Sequence, residues 1–177
     1  MWQIRPEREG DEAGIEALVT LGFGPGRFAK TAYRLREGVK PDARLSFVAA
    51  DSDSGTLLGS VRFWPISAGG AASLLLGPLA VRPDLRGQGI GVGLMQKGIA
   101  EARALGYETM LLIGDEPYYA RVGFAKIPPG KIRFPGPVDP ERILGLALRD
   151  GALDALSGEV KRARIDIPVA AQATALG

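Results

Sequence analysis

The 177-residue sequence contains neither cysteine nor histidine. Without cysteine, the chain can form no disulfide, no thiolate nucleophile and no Cys-ligated zinc or iron–sulfur site. Without histidine, it has no imidazole base, no Ser-His-Asp triad and no ordinary His-containing metal site, so we expect no metal. Proton transfer near neutral pH would therefore have to use Asp, Glu, Tyr, Lys, a chain terminus or water.

Long apolar runs and a strong charge imbalance are also missing. No stretch reaches the roughly 18 apolar residues of a membrane-spanning helix. The first residues are charged and lack the apolar segment of a secretory signal. The 22 Lys and Arg residues against 20 Asp and Glu leave a net charge of +2, which gives little support for a nucleic-acid partner. We therefore expect a soluble, cytoplasmic protein that binds neither nucleic acid nor a membrane.

The length fits one domain of about 100–200 residues, and hydrophobic periodicity predicts both strands and helices. Predicted strands cover residues 2–6, 45–50, 56–66, 73–81, 109–113, 143–148 and 160–167, and predicted helices cover 11–21, 27–36, 90–105 and 117–122. The second to fourth strands follow one another through tight turns, which predicts an antiparallel meander. Residues 73–113 then form strand, helix and strand, a βαβ unit with an expected right-handed crossover. The predicted fold class is α/β in a single domain.

The most informative segment follows the fourth predicted strand, where Arg86-Gly87-Gln88-Gly89-Ile90-Gly91 leads into a long helix. Alternating glycines let successive backbone N–H groups converge, and the helix start adds unpaired donors and a positive dipole end. Such a nest of N–H groups binds a phosphate or pyrophosphate. The dinucleotide fingerprint and the P-loop both fail by position, because Val92, Leu94 and Ile99 stand where glycine or lysine is required. A purely structural glycine-rich turn is the alternative.

This segment resembles the acetyl-CoA signature (Gln/Arg)-x-x-Gly-x-(Gly/Ala) of the GNAT superfamily of N-acetyltransferases. A second block, Tyr118-Tyr119-Ala120-Arg121-Val122-Gly123-Phe124, is similar to the family's aromatic-Tyr-x-x-x-Gly-Phe block. With Gly114-Asp115-Glu116-Pro117 ahead of it, the block most resembles the YhbS-like branch of small bacterial acetyltransferases. The specific resemblance covers about residues 73–126.

The resemblance implies a fold and a cosubstrate. The fold is a mixed, mostly antiparallel central sheet with helices on both faces and a splay between its fourth and fifth strands. Residues 1–177 would form one N-acetyltransferase domain, with an acetyl-CoA-binding core at about 73–126 and a C-terminal loop and strands at 127–177. Pantetheine would lie in the splay and the pyrophosphate at the helix start, with no metal. The cofactor-binding residues implied are Leu79, Ala80, Val81, Arg86, Gly87, Gln88, Gly89, Ile90 and Gly91.

The resemblance also implies that an acceptor amine attacks the thioester directly, with backbone N–H groups at the splay stabilising the oxyanion. Tyr119 matches the family position that protonates the departing thiolate, and Tyr118 would pack beside it. Many relatives carry a Glu as base on the fourth strand, but here that strand has no carboxylate. Asp115 and Glu116 are the nearest acids, and we take Glu116 as the candidate base. A solvated loop, a helix cap at Asp115 or a relay through water are the alternatives.

Three further features each allow two interpretations. Arg27, Lys30 and Arg34 share one helix face, which could be solvated or could form the wall of an anion site. Trp64 could pack in the core or line the acceptor pocket, and residues 128–140 could be a surface loop or a lid. An acyl-CoA-binding module without turnover is the alternative to the enzyme. The resemblance implies a small-molecule or peptide amine as acceptor and a possible homodimer through the C-terminal strands.

Overall fold

A computed structural model describes residues 1–23 and 31–163 of the chain. Within these residues the helices are α1 (Glu12–Phe23), α2 (Thr31–Arg34), α3 (Ile90–Ala104), α4 (Glu116–Tyr119) and α5 (Ala152–Ala155). The strands are β1 (Trp2–Pro6), β2 (Phe47–Asp51), β3 (Leu57–Ala68), β4 (Ala71–Val81), β5 (Thr109–Ile113), β6 (Ala125–Lys126), β7 (Ile132–Arg133), β8 (Ile143–Ala147) and β9 (Gly158–Arg162). Of the helices so described, none has the length and apolar character to cross a membrane.

The strands form a mixed sheet with the order β1-β2-β3-β4-β5-β8-β6 along its main path. Neighbours on this path are antiparallel except β4 and β5, which run parallel. β9 extends the sheet from the end of β3 and pairs in parallel with β7. The predicted meander is therefore β2-β3-β4, and the α/β class with a mixed, mostly antiparallel sheet is confirmed.

Helices cover both faces of the sheet because side chains alternate in direction along each strand. On one face, α3 packs through Leu94 and Met95 into the core cluster that contains Phe63. On the other face, α1 packs through Ile15 into the cluster that contains Val48. The long connection through α3 thus joins two parallel neighbours, as the predicted βαβ unit requires.

β4 and β5 separate soon after they begin. They are paired at only two positions, Leu74 with Met110 and Leu75 with Leu111. Pro78, which has no backbone N–H to donate, stands on β4 beyond these pairs. The expected splay between the fourth and fifth strands is therefore present, and it leaves the later part of β4 without a strand on its β5 side.

The backbone of β4 presents hydrogen-bonding groups to this gap. The N–H of Arg82 donates to the carbonyl of Leu58 at 2.9 Å, on the side of β3. Because backbone groups of successive strand residues point to opposite sides, Leu79 and Val81 direct theirs away from β3. The splay is thus bordered by an exposed row of main-chain donors and acceptors.

Some elements differ from the predicted ones. The strand predicted from residue 45 begins at Phe47, because a 3-10 turn at Ala43–Leu45 comes first, capped by the Asp42 carboxylate that accepts from the Arg44 N–H. The short elements β6, β7 and α5 were not predicted, since two to four residues carry no measurable periodicity. Of the predicted helix 27–36 and strand 160–167, residues 27–30 and 164–167 lie outside the described residues.

Candidate active site

The glycine segment forms a tight turn that runs straight into α3. Gly87 and Gly89 both have φ of +85°, a backbone region that favours glycine, and open space surrounds the position where each would carry a Cβ. Gly89 is the N-cap of α3, and among the described residues no side chain caps this helix start. The N–H groups of the first helical turn, from Ile90 to Val92, therefore remain available to a ligand.

A cavity of about 420 Å³ opens at this helix start. Eight of the nine predicted cofactor-binding residues line it, namely Leu79, Ala80, Val81, Arg86, Gly87, Gly89, Ile90 and Gly91. The ninth, Gln88, is exposed and lies outside the lining. The structure thus brings the end of β4 and the start of α3 together around one cavity, as expected from a glycine segment that joins the fourth predicted strand to the long helix.

A larger cavity of about 1050 Å³ adjoins the first one. The two share four lining residues: Leu79, Arg86, Tyr118 and Tyr119. The larger cavity extends along the splay to Trp64 on β3, to α2, and to residues 137–139 of the loop after β7. A cavity of this size is large enough to hold a small molecule.

Trp64 and part of the 128–140 loop, which each allowed two interpretations from the sequence, both line this larger cavity. Trp64 is buried, donates its Nε1–H to the carbonyl of Gly77 at 2.5 Å, and still forms part of the cavity wall. The loop is tied to α2 because Thr31 donates its hydroxyl to the carbonyl of Pro137 at 2.7 Å. Arg34 also lines this cavity, whereas Arg27 and Lys30 lie outside the described residues.

Tyr119 lies at the junction of the two cavities. Its ring packs so closely on Gly114 that any side chain there would overlap it, and it meets Phe124 edge to face at 6.3 Å between ring centres. Burial raises the pKa of the Tyr119 phenol to about 12, and the neighbouring Tyr118 and Asp115 act in the same direction. The hydroxyl is therefore fully protonated at neutral pH and able to donate a proton or hydrogen bond.

Tyr118 stands beside it with a different environment. The two rings are 5.0 Å apart, edge to face, and the Tyr118 hydroxyl lies directly against Gly91 in the first turn of α3. The guanidinium of Arg121 lies over the Tyr118 ring, 5.9 Å from its centre. Burial also raises the pKa of Tyr118. Through its hydroxyl, Tyr118 thus contacts the first turn of α3 beside the glycine nest.

The two candidate acids point to different places. Asp115 lines the larger cavity and pairs with Arg142, with 3.3 Å between the Asp115 Oδ1 and Arg142 Nε atoms. The Glu116 carboxylate accepts a 3.3 Å hydrogen bond from the backbone N–H of Lys126, and Glu116 lines neither cavity. The structure thus brings Asp115, but not Glu116, to the same cavity as Tyr119.

Comparisons with known proteins agree with this geometry. A sequence model of the acetyltransferase (GNAT) family matches residues 13–125. The chain belongs to the GNAT acetyltransferase family. It is 34% identical over 162 residues to the N-acetyltransferase YhbS of Escherichia coli strain K12, covering 89% of this chain and 94% of that protein. It is 30% identical over 120 residues to YjhQ of the same strain, covering 66% of this chain and 65% of YjhQ.

Solved GNAT structures resemble the whole fold. The structure of E. coli YhbS in complex with CoA matches with a TM-score of 0.77 and 30% identity, covering 94% of each chain. A GNAT acetyltransferase from Brucella melitensis in complex with acetyl-CoA matches with a TM-score of 0.67 and 28% identity, covering 92% of this chain and 96% of that one. The predicted resemblance to the family and to its YhbS-like branch is confirmed.

Two further observations complete this GNAT site. Within residues 1–23 and 31–163, no cluster of three or more Asp, Glu, His or Cys side chains is suited to hold a metal ion. Sequence reasoning missed Arg36, which lines the larger cavity beside Gly77 and Trp64. Its position in the sequence gave no signal, because it lies off the predicted stripe of basic residues and its burial arises only from tertiary packing.

Proposed function

We propose that this GNAT protein transfers the acetyl group of acetyl-CoA to a primary amine. The observation that carries the proposal is the junction of the two cavities. One cavity contains the glycine nest and the end of β4. The other extends to Trp64, α2 and the loop after β7, and Tyr119 borders both cavities. A two-substrate transfer needs such an arrangement, since the cosubstrate and the acceptor must meet at one point.

The residues present fit the cosubstrate. The open N–H groups at the start of α3 and the adjacent Arg86 suit a pyrophosphate. The main-chain groups of Leu79 and Val81 that face the splay suit the amides of pantetheine, in the way an added strand would pair. Two similar GNAT structures contain CoA and acetyl-CoA, which supports this assignment.

The reaction is a single displacement at the thioester carbonyl. The nitrogen of a neutral amine forms the new C–N bond, the C–S bond breaks, and the sulfur leaves as a thiolate. Main-chain N–H groups at the splay stabilise the oxyanion that develops. Tyr119 donates its phenolic proton to the thiolate, and the proton lost by the attacking nitrogen restores the phenol through water.

An acceptor that arrives as an ammonium ion must first lose one proton to a base or to solvent, before its neutral nitrogen attacks. Asp115 borders the larger cavity, so its carboxylate can receive this proton through one water molecule, and the ion pair with Arg142 positions it there. Glu116 is held by the Lys126 backbone on the side of β6. We therefore assign the proton relay to Asp115 and water, rather than to Glu116, the candidate base predicted from the sequence.

The test is a thiol-release assay with acetyl-CoA and a panel of primary amines, followed by mass spectrometry of the acceptor. Acetylated amine formed together with free CoA in equal amounts is the expected result. Acetyl-CoA binding without any acetylated product would instead favour the alternative, an acyl-CoA-binding module without turnover. Absence of both binding and product would contradict the proposal.

A further inference from the structure

Among the described residues, Arg36 is a cation that forms no ion pair with a carboxylate. Its Nε is fully buried and makes no hydrogen bond within the described part of the chain. Burial lowers the pKa of its guanidinium to about 10, and the nearby Tyr119 phenol, whose own pKa is about 12, opposes this shift. Arg36 therefore stays positively charged at pH 7 beside a neutral phenol.

Two of the other arginines that line the larger cavity, Arg62 and Arg142, contrast with Arg36. Arg62 forms two hydrogen bonds to the Glu7 carboxylate at 2.6 and 3.1 Å. Arg142 pairs with Asp115, as described above. Their charges are already balanced, so neither needs a ligand. A buried charge without a counter-ion is costly, and a ligand of opposite charge would offset that cost.

The surroundings of Arg36 direct it to the acceptor side. It lies against Gly77 on β4, where a side chain would come within 2.8 Å of its Nη2. Its guanidinium is 5.9 Å from the centre of the Trp64 ring, and the same cavity contains Tyr119. Arg36 lines only the larger cavity and not the one at the helix start, so it is separate from the proposed pyrophosphate site.

We propose that the acceptor is an amine that also carries an anionic group, a carboxylate or a phosphate, and that Arg36 binds this group. The inference rests on the proposed function and adds the class of acceptor. Arg36 orients the molecule by one end while its amine reaches the splay beside Tyr119. A planar guanidinium suits both anions, because its fork of N–H donors matches two oxygens at once.

The experiment compares matched pairs of amines by thiol release. Leucine and phenylalanine are each assayed beside their α-amides, and phosphoethanolamine is assayed beside ethanolamine. We expect at least one anionic amine to exceed its neutral partner about tenfold or more in kcat/KM, mainly through KM, as for a hydrogen bond to a charged group. The two arms distinguish a carboxylate from a phosphate acceptor.

Variants connect this preference to Arg36. Arg36→Met keeps much of the side-chain volume but removes the charge, and it should cost the preferred anionic amine about 10- to 100-fold in kcat/KM with little change for its neutral partner. Arg36→Lys should recover part of the loss. Arg133→Met, an equal change of charge at an exposed residue of β7 outside both cavities, is the matched control. Acetyl-CoA affinity, measured by calorimetry, verifies that each variant is folded.

Several results would overturn the inference. Neutral amines accepted as well as or better than all the anionic ones would do so while leaving the proposed function intact. If Arg36→Met lowered kcat equally for both members of a pair and left KM unchanged, Arg36 would belong to the reaction centre instead. If Arg36→Met fails to fold, the inference is still tested by the preference of the wild type within each amine pair and by the change in that preference in Arg36→Lys. Absence of acetyl-CoA binding and of thiol release with every amine would refute the proposed function itself, and the inference with it.

Discussion

Replacing Tyr119 with phenylalanine removes the proposed proton donor and little else. The ring contacts with Gly114 and Phe124 remain, because they involve ring atoms alone. Positioned proton donors contribute roughly 10²–10⁴-fold. The pKa of about 12 for Tyr119 lies above the roughly 8.5 of an ordinary thiol, so proton transfer to the leaving group is uphill. We therefore expect Tyr119→Phe to lower kcat about 100-fold, at the low end of that range.

The assay is steady-state thiol release with acetyl-CoA and the best amine found, together with calorimetric binding of CoA. Tyr118→Phe is the neighbouring comparison, and it should act mainly on KM for acetyl-CoA because its hydroxyl contacts Gly91 at the helix start. Tyr107→Phe is the distant control, since that buried hydroxyl donates to Asp42 and lines neither cavity. An unchanged kcat in Tyr119→Phe would refute the proton-donor role, as would an equal loss in Tyr107→Phe.

Three further predictions concern pH and packing. Because the pKa of Tyr119 is raised to about 12, kcat/KM should show no decline on the alkaline side below about pH 10, and a decline near pH 9 in the pH–rate profile would contradict its role. Burial alone would raise the pKa of Asp42, but the hydrogen bonds that its carboxylate accepts from Arg44 leave this pKa lowered. The pair therefore stabilises the fold above about pH 4, and the stabilisation is lost as the pH falls through the lowered pKa. Asp42→Asn should thus cost about 2–3 kcal/mol in urea unfolding at pH 7 and less at pH 3, whereas an equal cost at both would contradict the pairing. Gly98→Ala would overlap the Phe63 ring and should cost about 1–2 kcal/mol while acetyl-CoA binding persists; a variant as stable as wild type would show that α3 is less closely packed.

The sequence predicted the part of the site that main-chain geometry determines. Gly87 and Gly89 must be glycine for a positive φ, and this constraint leaves a spacing that can be read directly. The order of strand, nest and helix then predicted which end of β4 lies at the start of α3, where the smaller cavity opens. The Tyr119 position followed in the same way, from its fixed distance to Gly123 in the second block.

The rest of the site depends on tertiary packing. Nothing local distinguishes Arg36 from other basic residues, and its burial results from Trp64 and Gly77, which lie 28 and more residues further along the chain. The choice between Asp115 and Glu116 also depends on distant partners. Arg142 pairs with Asp115, while Lys126 on β6, an element too short to predict, holds Glu116. Adjacent residues in a helical turn point in different directions, and sequence alone does not show which direction meets the cavity.

The most direct test is a calorimetric titration of acetyl-CoA into the wild-type protein and into Gly91→Val, with NAD as the control ligand. Gly91 has an ordinary helical backbone, but a side chain there would overlap the Tyr118 hydroxyl and intrude on the cavity at the helix start. We predict micromolar binding of acetyl-CoA to the wild type, none of NAD, and loss of acetyl-CoA binding in a folded Gly91→Val. Failure of the wild type to bind acetyl-CoA, or undiminished binding by Gly91→Val, would contradict the assignment of this site.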